Sequence, residues 1–86
     1  MLKITRFEDS DLTLKLEGKL VKPWIGELES ACGEFLVTPE RVCLNLYDLN
    51  FIDAAGVRFL GSLIRGGARV IACSGFVAEM LHLNGR

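Results

Sequence analysis

Apolar and polar residues alternate over Leu2-Lys-Ile-Thr-Arg-Phe7 and again over Leu12-Thr-Leu-Lys-Leu-Glu17, with the polar run Glu8-Asp-Ser-Asp11 between them. A period of two marks strands with one covered face, so the pattern predicts a hairpin. After Gly18-Lys-Leu-Val-Lys-Pro23 the period changes. Trp24, Leu28, Ala31, Cys32, Phe35 and Leu36 recur at helical spacing, with Glu27, Glu29, Ser30 and Glu34 on the other side. This predicts an amphipathic helix whose first turn Pro23 suits and whose exit is Thr38-Pro39. Gly26 and Gly33 cost that helix ~1 kcal/mol each relative to alanine, so packing has to hold it. Val42-Cys-Leu-Asn-Leu46 is almost unbroken in its apolar character, as a central strand is. A helix from about Ala54 to Arg65 then presents Val57, Leu60, Leu63 and Ile64 inward, with a left-handed stop at Gly66-Gly67. Ala68-Arg-Val-Ile-Ala-Cys73 is the next buried strand. Ser74 caps a last helix carrying Phe76, Val77, Met80, Leu81 and Leu83, which Asn84-Gly85 ends.

The order ββαβαβα predicts an α/β fold: a small mixed sheet of about four strands, opening with an antiparallel hairpin, and about three helices. The 86 residues form a single domain. Right-handed crossovers put consecutive helices on one side of the sheet unless the strand order reverses, and periodicity does not fix that order. Half of the residues are apolar, more than so small a domain readily buries, so a protein partner or a homodimer is expected to cover some of them.

Charge and cysteines narrow the function classes. Ten basic and eleven acidic residues leave a net charge of −1, which gives no electrostatic reason to expect nucleic acid or an anionic membrane. No apolar run approaches the ~20 residues of a membrane span, and the N-terminus does not read as a signal peptide, so a cytoplasmic location without membrane insertion is expected. Cys32, Cys43 and Cys73 are widely spaced inside apolar patterns, which suits reduced core thiols. A metal site would need clustered ligands, and the sequence has no Cys-x-x-Cys and one histidine, His82. Residues six after the cysteines are Thr38, Leu49 and Glu79, so no phosphatase-like Cys-x5-Arg occurs. Phosphate-binding glycine loops are absent too, and neither enzyme nor cofactor is expected.

The residue with the clearest chemistry is Asp53, between a strand and a helix. Its carboxylate can accept amide hydrogen bonds from the first turn and complement the helix dipole, which already explains an aspartate there. The functional alternative is a partner-binding surface, since helix N-termini also receive anions. Ala54, Ala55 and Gly56 keep the helix start narrow, either for packing against a strand or for close approach by a partner. Trp24 reads equally as an interface anchor or a core-edge residue. Arg58 is a solvated arginine or the mate of a partner carboxylate.

The stretch Asn50-Phe-Ile-Asp-Ala-Ala-Gly-Val57 resembles the signature of STAS domains, the anti-sigma-factor antagonists, whose motif reads roughly Asp-Ser-Ser/Thr-Gly-Leu at the start of the second helix. Gly18-Lys-Leu20 matches that family's Gly-Glu-Leu, and the element order agrees over roughly Leu12 to Leu83. The resemblance implies a bacterial interaction module that sequesters an anti-sigma factor which is also its kinase. In the family the serine after the aspartate is phosphorylated, and the phosphate breaks the complex. That position is Ala54, which has no hydroxyl. Ser62 lies about two turns further on, and Ser74 opens a different helix. The resemblance therefore assigns Asp53, Ala54, Ala55, Gly56 and Arg58 to a contact surface held in the unmodified, binding-competent state. Val21 stands where the family commonly has an aspartate, which makes that surface more apolar. The sequence stops at Arg86, before the family's usual C-terminal element, so an apolar face is expected to stay exposed for a partner or a homodimer. The alternatives are a structural STAS subunit of a lipid- or anion-transport assembly and a small-ligand sensor.

Overall fold

The computed structural model describes residues 1–83. Its elements are β1 (Leu2–Glu8), β2 (Leu12–Leu20), α1 (Ile25–Cys32), β3 (Val42–Leu46), β4 (Leu49–Ile52), α2 (Ala54–Arg65), β5 (Arg69–Cys73) and α3 (Gly75–Met80). The fold class is the one expected, with a fifth strand added. Short 3-10 turns cover Lys22–Trp24, Gly33–Val37 and Pro39–Arg41.

The long strand β2 organises the sheet. One edge pairs antiparallel with β1, from Leu2 opposite Gly18 to Glu8 opposite Leu12. Its other edge is shared: β3 pairs parallel along Leu12 to Lys15, and β4 pairs parallel along Gly18 to Leu20. β5 lies parallel to β3 at the far edge. β3 and β4 thus act as one interrupted strand, and the register slips where Gly18 and Lys19 face β4. Gly18 has φ 100°, and a Cβ there would sit 2.4 Å from the Met1 carbonyl oxygen. Only glycine fits that bend.

The order β1-β2-β3-β5 never reverses among the parallel strands. Right-handed crossovers therefore place α1 and α2 on the same face, and both, with Val77 of α3, feed one core. Leu12, Leu14 and Leu16 of β2, Val42, Leu44 and Leu46 of β3, and Leu60 of α2 are fully buried there. The alternate positions Thr13, Lys15, Glu17, Cys43 and Asn45 are only half-buried. A thickness of 18 Å, against 30 Å and 29 Å in the other directions, fits a sheet with one helical layer. Cys32 is fully buried, and burial pushes its thiol up to about 11, as suits an inert core residue.

Two helices are shorter than their periodicity suggests. α1 ends at Cys32 because Gly33 turns to φ 55°, and Phe35 reaches the core from the following 3-10 turn. α3 ends at Met80, with Leu81, His82 and Leu83 in a turn where His82 has φ 59°. Leu81 still packs on the core, while Phe76 and Leu83 are exposed. The predicted stop at Asn84-Gly85 falls outside the described residues. After α2 the positive φ belongs to Gly67 alone. Among the described residues, no helix is long and apolar enough to cross a membrane.

Candidate functional site

The site lies at the end of the sheet where β2 and β4 finish and α2 begins. Asp53 has an extended backbone, as an N-cap requires, and its Oδ1 accepts a hydrogen bond from the Gly56 amide at 2.9 Å. Oδ2 accepts from the amide of Lys22 at 2.8 Å, 31 positions away in the chain. The Asp53 amide itself donates to the Leu20 carbonyl at 3.1 Å. One residue therefore fixes the start of α2 and ties it to the turn that leads into α1. The Gly56 and Lys22 amides, in that order, hold the Asp53 carboxyl below its usual range, because they stabilise the ionised form.

Gly56 is buried, and an added Cβ would approach Ile52 Cγ2 to 2.6 Å and the Leu20 carbonyl oxygen to 2.9 Å. Its smallness seats α2 against β2 and β4. Ala54 and Arg58 are exposed, whereas Asp53 and Ala55 are half-buried. The exposed part of the expected contact surface is thus Ala54 and Arg58, one turn apart, on a scaffold that Asp53 and Gly56 hold. Trp24 is half-buried and packs on the core's edge. No local sequence pattern marks Lys22, since its contribution is a backbone amide.

The opposite end of the sheet is organised by Asp11, just before β2. Its carboxylate oxygens lie 3.3 Å from Arg41 Nε and 3.4 Å from Arg69 Nη2. Arg41 also donates to the Ser10 carbonyl and stacks on Phe35, 5.2 Å from the ring centroid. Arg69 contacts Cys43 Sγ at 3.1 Å. Beside this cluster, Glu34, Phe35, Val37, Thr38 and Arg41 line a cleft of about 260 Å³. It adjoins none of the motif residues and is smaller than the ~300–1,000 Å³ usual for small-molecule sites. Among the described residues, no group of three or more histidine, cysteine or acidic side chains is placed to hold a metal.

No protein-family model matches the chain, and no curated protein matches it. Among solved structures it is similar to an uncharacterized protein of the DUF3478 family with a SpoIIAA-like fold, from Shewanella loihica PV-4. The identity is 18% and the TM-score 0.51, over 95% of this chain and 75% of that one. At that identity the likeness is one of fold. The chain has a SpoIIAA-like fold, the fold that its resemblance to STAS domains implies.

Proposed function

We propose that this domain is a non-enzymatic protein-interaction module of the anti-sigma-factor-antagonist kind, with a contact surface at the start of α2 that phosphorylation cannot switch. The observation that carries the reading is Ala54: it is exposed directly after the Asp53 cap, at the position where the motif calls for a phosphorylatable serine. A small apolar side chain there lets a partner approach closely, and Arg58 one turn on can meet a carboxylate. Asp53 acts as a positioning residue, because both its oxygens are occupied by amides of the chain itself.

The expected partner is a protein with the fold and nucleotide chemistry of an anti-sigma-factor kinase. Affinity capture with the wild-type domain, compared with an Ala54→Glu variant, tests this. The wild type retains such a kinase and the glutamate variant, which adds charge and bulk at the contact, loses it. Equal retention by both proteins would remove Ala54 from the interface. Capture of a transporter ATPase instead would favour the transport-assembly reading.

A further inference from the structure

The exposed sides of α1 and α2 carry opposite charge. α1 and the turn after it expose Glu27 and Glu34, seven positions apart, while α2 exposes Arg58 and Arg65, also seven apart. Arg58 and Arg65 lie ~10 Å apart along α2, while the acidic side runs from α1 into the 3-10 turn beyond the break at Gly33. None of the four has an ion-pair partner among the described residues. Between Ala54 and Arg65, α2 contains no acidic residue at all.

Small residues lie beside these charges. Gly26 is exposed inside α1, has no left-handed backbone, and an added Cβ would meet nothing within 4 Å. Glycine weakens a helix, and nothing among the described residues requires it there. Close approach by another backbone would. On α2, Gly61 leaves room for Arg65 to fold back, with Nη1 at 3.2 Å from where a Cβ would sit.

We propose that a second copy of this chain covers these stripes, in a two-fold dimer with α1 of each protomer against α2 of the other. The two helices lie side by side on one face of the sheet and both run away from the Asp53 end. Two such layers can meet about a two-fold axis across the helices or along them. The first choice sets α1 on α1 and α2 on α2, acid on acid and arginine on arginine. The second sets Glu27 and Glu34 on Arg58 and Arg65 of the partner twice over, and the contact closes on itself. Charge selects the second. The pairs are at the surface, so the dimer is weak and sensitive to salt. It stands apart from the proposed partner reading, but it has a consequence for it: the stripe includes Ala54, so self-association hides the contact surface and supplies a control that phosphorylation cannot.

Sedimentation velocity on the full chain, across protein concentration at low and high salt, tests the dimer. The expected result is a concentration-dependent dimer at low salt that dissociates at high salt. An R58E/R65E variant and an E27R/E34R variant are each expected to self-associate about tenfold or more weakly, with unchanged circular dichroism. An equimolar mixture of the two restores a dimer, because each then offers the charge the other needs. A wild type that stays monomeric throughout, a dimer indifferent to the reversals, or a mixture that fails to recover would overturn the proposal. None of these readings depends on whether a kinase binds.

Discussion

Each end of this sheet is organised by one aspartate, and the two are held in opposite ways. Asp53 is held by backbone amides, those of Gly56 and Lys22, whose positions are set by the strands and helix around them. Asp11 is held by the guanidinium groups of Arg41 and Arg69, each at the tip of a long side chain about half-exposed to water. Amides come already placed, whereas a surface arginine loses rotamer freedom to reach its partner and is screened by salt. The first arrangement fixes the start of α2, the proposed contact platform. The second fastens a hairpin turn.

The sharpest way to break this contrast is at the platform's foundation. Gly56→Ala puts a methyl group against Ile52 and the Leu20 carbonyl, so it is expected to cost about 1–3 kcal/mol in chemical denaturation, the range for overpacking. A smaller cost would show that α2 can shift away from β2 and β4 freely. Next comes Asp53→Ala, which leaves the Gly56 and Lys22 amides without their protein acceptor. The melting midpoint should fall by several degrees, with more exchange of the Lys22 amide in hydrogen–deuterium measurements. At the other end, Asp11→Ala is expected to change stability by about 0–1 kcal/mol and less at high salt. If the Asp11 variant proved the more damaging of the two, the contrast would be reversed.

The pH dependence follows from the same contrast. The folded state holds the Asp53 carboxyl below its ordinary value of 3.8, so its contribution is present above that value. It fades as pH falls through the lower folded value, because protonation removes the acceptor its amides use. Acid titration of the wild type against Asp53→Asn should therefore show a loss of stability below pH 3.8 that the asparagine variant lacks. Identical acid profiles would place the anchoring elsewhere.

Much of this was legible in the chain because it rests on local pattern. The period of two gave β1 and the first part of β2, and the run from Ala54 to Arg65 coincides with α2. Asp53 was readable as a cap from its position before that run, and the amide of Gly56 is where a cap finds its donor. What escaped depends on partners distant in sequence. β4 has four residues and an added residue where it meets β2, so it shows no clean alternation. Gly33 reads as a weak helix residue, yet its positive φ ends α1 and turns the chain. The bond from Asp53 to the Lys22 amide joins segments that only the fold brings together. The motif assigns Gly56 to the contact surface, whereas its burial against Leu20 places it beneath the proposed surface.

The central claim is that the start of α2 is a binding surface without a phosphate switch. Intact-mass spectrometry and co-elution, after incubation with an anti-sigma-factor kinase and ATP, address it directly. The wild type is expected to stay in the complex and gain no phosphate, while Ala54→Ser gains one phosphate and releases the kinase. Phosphate on the wild-type motif helix, or no complex with any such kinase, would contradict the account.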